Sequence, residues 1–227
     1  MSTPAAAQGQ GGGSVPSGTI IAVDGPAAAG KGTLARRLAE ALGLPYLDTG
    51  LLYRAVGRRV LDQGADPRDA RVAEAAARAL TPAELARGDL RGPLADMAAS
   101  AVAAIPAVRA ALLEFQREFG RERGAVLDGR DIATVVFPTG RIALYVTASV
   151  EERARRRFLE LQARGVAADP AQVAAEIRDR DAQDANRPVA PLRPAADAAW
   201  LDTSALDPDA AFAVALALVR ERLGGTA

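Results

Sequence analysis

The stretch TIIAVDGPAAAGKGT, residues 19–33, decides how the rest of the chain is read. Thr19–Val23 is a short apolar run of the kind that forms a buried parallel strand. It leads into Gly25-Pro26-Ala27-Ala28-Ala29-Gly30-Lys31-Gly32-Thr33, spaced G-x-x-x-x-G-K and then Gly-Thr. Glycines let the backbone curl so that successive N–H groups point inward, and the helix that follows adds the partial positive charge of its N-terminus. A lysine at the end of such a loop reaches β- and γ-phosphates as a compact point charge, a role that the wide, planar guanidinium fills badly. Strand, loop and helix together predict a nucleoside triphosphate site across Gly25–Thr33. A glycine-rich turn with no ligand is the plainer alternative.

Composition sharpens that reading. Among 28 basic residues Lys31 is the only lysine, so arginine was acceptable everywhere except in the loop. The chain has no histidine and no cysteine, which excludes disulfides, a cysteine-based zinc site and every Ser-His-Asp or Cys-His mechanism. Acidic residues also number 28, so the balanced charge does not suggest a nucleic-acid binder. No apolar run approaches the length of a membrane span. Residues 1–18, rich in Ala, Gly, Ser and Gln, read as a disordered tail before a kinase domain over 19–227. The expected setting is a monomer in the cytoplasm, away from membranes. Deleting residues 1–18 is expected to leave melting temperature and turnover nearly unchanged, because no periodic apolar face or catalytic residue type lies there; thermal melts and initial rates check this.

Working outward from the loop, a helix is predicted over Lys31–Leu42, a short strand at Pro45–Leu47, and a helix from Asp48-Thr49-Gly50 to about Leu61. Helices are expected at Asp69–Leu80, Leu94–Ile105 and Ala107–Phe119, with a capping box at Thr81-Pro82-Ala83-Glu84. Ala125–Leu127 and Arg141–Ala148 are strands. Ser149 caps a helix to Arg164, Asp169-Pro170 starts another to about Gln183, and residues 184–196 form a loop. Ala198–Leu201 is the last strand, and Asp207-Pro208 starts the last helix. Strands alternating with helices imply an α/β fold: a P-loop parallel sheet of about five strands flanked by helices. About residues 50–120 form a small, mainly helical acceptor-binding insert, and about 153–183 a short lid.

A second set of residues faces an acceptor. Asp128-Gly129-Arg130-Asp131 ends the third predicted strand, and ligands of open α/β sheets bind at that edge. Asp128 stands where a carboxylate reaches the Mg²⁺ shell, and Arg130 can grip a phosphate with its fork. Arg153, Arg155, Arg156 and Arg157 crowd one helix, with 153, 156 and 157 on one face. Arg178, Arg180, Asp184 and Arg187 follow. Such alternation often marks a solvated helix face, but a phosphate-binding loop needs arginines against the charge of a transferred phosphoryl group. A phosphate acceptor also suits a chain without histidine. A monophosphate has a second pKa near 6, so its attacking oxygen is mostly ionised at pH 7 and needs no general base.

These residues resemble the bacterial cytidylate kinases. The similarity runs through residues 20–55, 100–119, 127–138, 148–162 and 176–198, with Asp-Thr-Gly-x-x-Tyr-Arg, Asp-Gly-Arg-Asp and Asn-Arg-x-x-x-Pro-Leu as its most specific parts. Lys-Gly-Thr in place of Lys-Ser or Lys-Thr is the form seen in nucleoside monophosphate kinases. The resemblance implies transfer of the γ-phosphoryl group of ATP to CMP or dCMP. It implies ATP on Gly25–Thr33, Thr49 and Arg54 at the monophosphate, and Arg130 and Arg187 on its phosphate. Ser100, Arg109 and Asp131 would read the base, while Arg180 and Asp184 approach the ribose. Lys31, Arg130, Arg157 and Arg187 are the expected catalytic cations, and Thr33 with Asp128 the expected Mg²⁺ holders, through water. Cytosine offers an amino donor beside ring acceptors, which a carboxylate and an arginine complement. Between Arg54 and Ser100 many relatives carry a β-rich insert, whereas this stretch reads as helix and loop. Gln183 and Ala185 replace arginines common in the second cluster. A P-loop kinase for adenylate, shikimate or another small acceptor would keep the cradle without needing Ser100, Arg109 and Asp131. A GTPase-like switch would need a second lysine to read guanine.

Overall fold

The computed structural model describes residues 15–224 apart from residue 122, so most of the expected tail lies outside the described residues. Just before the first strand, the backbone N–H and the hydroxyl of Thr19 both donate to Pro16 O, at 3.2 and 2.7 Å.

Five strands form one parallel sheet: β1 (Ile20–Asp24), β2 (Tyr46–Asp48), β3 (Ala125–Gly129), β4 (Arg141–Thr147) and β5 (Ala199–Asp202), in the order β2-β3-β1-β4-β5. The central strand is buried at every position because both its faces are covered, as its unbroken apolar run requires. Ile21 and Val23 pack with Leu34, Leu38 and Val219 of α1 (Lys31–Leu42) and α9 (Pro208–Gly224). Ile20 and Ala22 face the other way, toward Ile132, Val136 and Phe119. Gly43, with φ 66°, ends α1, and Asp48 caps α2 (Thr49–Asp62) through the Leu51 N–H.

The segment between β2 and β3 is all helix and loop, as its sequence suggests. It holds α2, α3 (Ala70–Arg78), α4 (Pro82–Leu85), α5 (Pro93–Ala103) and α6 (Pro106–Arg121) around Leu52, Val56, Val102 and Leu112. Pro106 restarts the chain, so that α5 and α6 meet at 99°. Among the described residues no single helix is long and apolar enough to cross a membrane. Helix α5 lies so close to α2 that a Cβ on Gly57 would stand 2.8 Å from Ala98 Cβ. Gly57→Ala is therefore expected to cost about 1–3 kcal/mol through overpacking, which lowers the melting temperature by several degrees. A melt unchanged or raised would show that the two helices can part freely.

Helices α7 (Val150–Ala163) and α8 (Pro170–Asn186) form a hairpin with its own apolar cluster, Ala154, Leu161, Val173 and Ile177, against which Ala28 of the glycine-rich loop packs. Sequence punctuation placed the end of α8 near Gln183, but the helix continues to Asn186, two residues before Pro188. Asp184 is thus helical and not in a loop. The sequence also missed a five-residue π-helical turn, Ile132–Val136, directly after Asp131.

Candidate active site

At the carboxyl end of β1 the chain turns sharply. Gly25 has φ 149°, and a Cβ there would stand 1.9 Å from Val146 O, so only glycine fits. Gly30, with φ 85°, caps α1 without any side-chain cap, leaving the first N–H groups of the helix to face into the loop. Lys31 is buried beneath them and donates to Pro26 O at 2.7 Å. Burial, and then the Arg130 guanidinium, hold its ammonium below the usual lysine range.

Three neighbouring strands carry an aspartate at or one residue before their carboxyl ends: Asp24 on β1, Asp48 on β2 and Asp128 on β3, with Asp48 and Asp128 opposite one another in register. Burial, and next the negative charge of Asp48, push the Asp128 carboxyl up from the ordinary carboxylate range. Asp24 is raised to about 6 by burial, although it accepts the Ile132 and Ala133 N–H groups at 2.9 and 2.8 Å. That carboxylate ties the central strand to the π-turn and so fixes Asp131, which opens it. Thr49 donates to Asp128 O at 2.7 Å and joins the start of α2 to the same edge. Gly32, not Thr33, faces Asp128: a Cβ at 32 would stand 3.2 Å from Asp128 Oδ2, whereas Thr33 is exposed.

The arginines gather on this edge from four elements. Asp184 of α8 accepts Arg130 Nε at 2.8 Å, and Arg187 Nη2 stands 3.5 Å from its other oxygen. Asp96 of α5 accepts Arg54 Nε of α2 at 3.0 Å and Arg157 Nη2 of α7 at 2.6 Å. Four arginines thus share two aspartates, and Arg180 has no ion pair among the described residues. Burial, and then Arg130, lower Arg180 to about 10. Arg54 Nη1, Arg180 Nε and Arg187 Nη2 are buried donors with no hydrogen bond to a described residue, although Arg54 Nη1 stands 3.6 Å from Asp48 Oδ2 and Arg187 Nη2 stands near Asp184. Such groups cost free energy unless an anion satisfies them.

A separate pocket wall is formed by Arg109 of α6, whose Nη2 donates to Asp131 Oδ2; both side chains are buried. The Arg109 guanidinium also lies 5.4 Å from the centre of the Tyr53 ring. Ser100, on the neighbouring helix α5, is half-buried and makes no side-chain hydrogen bond to a described residue. The predicted shared face of Arg153, Arg156 and Arg157 divides in three directions. Arg157 reaches Asp96, Arg156 reaches Thr203 O at 2.6 Å, and Arg153 clamps Asp181 with two hydrogen bonds. Arg153 also donates to Ala27 O at 3.3 Å, so α8 is tied through it to the glycine-rich loop. Sequence reasoning overlooked Asp24, Asp48 and Asp96. The first two carried a signal, since each ends a predicted strand beside a glycine-containing turn, as Asp128 does.

A strand–loop–helix cradle with a buried lysine, facing guanidinium donors across a parallel sheet edge, defines a P-loop phosphotransferase. The family model described as cytidylate kinase matches residues 21–221. A cytidylate kinase of Granulibacter bethesdensis is 62% identical over 203 residues, covering 89% of this chain and 97% of that one. One from Paramagnetospirillum magneticum is 61% identical over 205 residues, covering 88% and 97%. The chain belongs to the cytidylate kinase family. In fold it is also similar to the crystal structure of a gluconokinase from Sinorhizobium meliloti, with TM-score 0.51, 14% identity, and coverage of 92% of this chain and 95% of that one.

Proposed function

We propose that the protein transfers the γ-phosphoryl group of ATP to CMP or dCMP, giving ADP and CDP or dCDP. The observation that carries this reading is the division of one site into two kinds of polar wall. Buried guanidinium donors of Arg54, Arg180 and Arg187 make no hydrogen bond to a described residue, as donors awaiting a phosphate would. Apart from them, the buried Arg109–Asp131 pair offers both a donor and a carboxylate, as a cytosine edge requires. In this reading the loop Gly25–Thr33 holds ATP, with Lys31 at the β- and γ-phosphates. Thr49, Arg54, Arg130 and Arg187 hold the acceptor phosphate, Arg180 and Asp184 lie toward the sugar, and Ser100, Arg109 and Asp131 read the base.

The chemistry asked of the protein is positioning and charge neutralisation. The acceptor oxygen arrives ionised, so no residue has to remove its proton. Lys31, Arg130, Arg157 and Arg187 stabilise charge that spreads over the phosphoryl oxygens in flight. The hairpin α7–α8 carries Arg157 and Arg180, and its closure over the site excludes the water that would otherwise accept the phosphoryl group.

The residues fit a magnesium ion held with the nucleotide. Asp128 and Asp48 stand on adjoining strand ends, and Gly32 leaves open the spot that a side chain would fill beside Asp128. No three acidic side chains among the described residues enclose a metal by themselves, which suits a hydrated ion bound mainly to phosphates. Bound there, Mg²⁺ would neutralise phosphate charge. Thr33, being exposed and one position further on, is the weaker of the two expected holders. We read the protein further as a monomeric, cytoplasmic enzyme without nucleic-acid partners, and the equal acid and base counts support the last of these.

A coupled assay with ATP and a panel of CMP, dCMP, UMP, AMP, GMP and shikimate tests the proposal. CMP and dCMP are expected to turn over fastest. Faster turnover of AMP or shikimate would overturn the acceptor assignment.

A further inference from the structure

Asp96 has no place among the residues assigned so far, yet it joins three elements. It sits on α5, accepts Arg54 Nε of α2 at 3.0 Å and accepts Arg157 Nη2 of α7 at 2.6 Å. Its side chain retains 17% of its exposure. Asp184 does the same on the opposite side, holding Arg130 by Nε and standing beside Arg187. At Arg54 the Asp96 carboxylate engages the Nε edge and leaves Nη1 buried, with no hydrogen bond to a described residue and 3.6 Å from Asp48 Oδ2. Arg187 Nη2 is likewise buried without a hydrogen bond to a described residue, 3.5 Å from Asp184 Oδ1. Arg157 is held at both ends, by Asp96 and by Glu160 at 2.9 Å, but Glu160 lies on its own helix and only Asp96 reaches it from another element.

We infer that Asp96 is a positioning residue for the acceptor: it aims Arg54 at the acceptor phosphate and, by holding Arg157, links the hairpin α7–α8 to the acceptor-binding helices. The inference rests on the reading of Arg54 and Arg157 given above. A carboxylate has two oxygens that can hold two guanidiniums at once. An asparagine has one acceptor oxygen and an amide that repels the second guanidinium. A glutamate keeps both acceptors on a longer stem.

The test is steady-state kinetics with ATP and CMP on the unaltered protein, Asp96→Asn, Asp96→Glu, Arg157→Lys and the double variant Asp96→Asn/Arg157→Lys. Direct titration of CMP and thermal melts accompany the kinetics. Asp96→Asn is expected to weaken CMP binding about tenfold and to lower kcat by roughly ten- to a hundredfold, the scale of one misplaced charge-assisted contact. Its melting temperature should stay within a few degrees of the unaltered protein. Asp96→Glu should recover part of both losses. The losses in kcat should be less than additive in the double variant, since Asp96 acts partly through Arg157, while the share that acts through Arg54 remains. Fully additive losses, or tighter CMP binding in Asp96→Asn because a negative charge has left the phosphate site, would overturn the inference. A large drop in melting temperature with CMP affinity and kcat of the folded fraction unchanged would make Asp96 a purely structural tie and overturn it too. The kinase reading is tested separately by the unaltered protein: if that protein does not turn over CMP, the proposed function fails before Asp96 is in question.

Discussion

Lys31→Ala is expected to fold and to lose roughly two to three orders of magnitude in kcat, the scale seen when one preorganised charge is taken from a transition state. The cradle does not depend on the side chain: Gly25 and Gly30 shape it, and α1 is held by Leu34 and Leu38 in the core. The sign of the stability change follows from burial. Burial disfavours the charged lysine in the folded protein, so its folded pKa lies below the unfolded value. The cost is largest at low pH, where the unfolded lysine is fully charged, and fades as pH rises from the folded pKa toward the unfolded one. Lys31→Ala should therefore melt no lower than the unaltered protein at pH 7 with no nucleotide present. Lys31→Arg should also turn over poorly, because a planar fork does not fit a pocket closed around one Nζ and Pro26 O. Near-normal turnover in Lys31→Arg would remove the reason offered for the chain's single lysine.

The second large effect concerns the base. Asp131→Asn is expected to lose roughly a hundredfold or more in kcat/KM for CMP and proportionately less for UMP. Uracil has a carbonyl where cytosine has its amino group; a carboxylate facing it repels, whereas an amide can donate. A carboxylate directly after Arg130 in the chain could simply brace that arginine. Arg130 instead pairs with Asp184, and Asp131 pairs with Arg109. The competing role is therefore to hold Arg109, and breaking a buried pair typically costs about 3–5 kcal/mol whatever the substrate. A pure bracing role lowers CMP and UMP by the same factor. Measuring kcat/KM for both acceptors decides it: an unchanged CMP-to-UMP ratio sinks the base-reading role and leaves the kinase assignment standing.

The layout of the sheet was legible because its signals are local. An apolar run ending in Asp-Gly, a lysine opening a helix, Gly43 closing it and Ser149 or Asp169 capping the next helices each act over a few residues. The candidate site was legible only where residue type and motif coincide, as at Lys31, Arg130 and Asp131. Partnerships were not legible. Asp96 meets Arg54 and Arg157 across 42 and 61 residues of chain, and nothing local to any of the three announces it. The π-turn was missed for a related reason. Ile132–Val136 reads as a β-branched apolar run suited to a strand, and Asp24, over a hundred residues earlier, holds its first N–H groups. The end of α8 was misplaced because Pro188 excludes helix only at the residue before it, Arg187, whose ψ is 134°, and leaves Asp184–Asn186 free to continue the helix.

The solitary lysine has a use at the bench. Apart from any chain terminus, a protein with one lysine offers one side-chain amine to acylating and aldehyde reagents, and here that amine lies in the catalytic cradle with its proton held more loosely than usual. Amine-directed chemistry near neutral pH therefore has one side-chain target, counted apart from any terminal amine: a slow added mass on the peptide spanning the buried Lys31, slowed further as nucleotide fills the loop. The arginine-covered exterior stays silent in the same experiment, so nucleotide occupancy can be read from intact mass without a fluorophore, a mutation or a substrate assay.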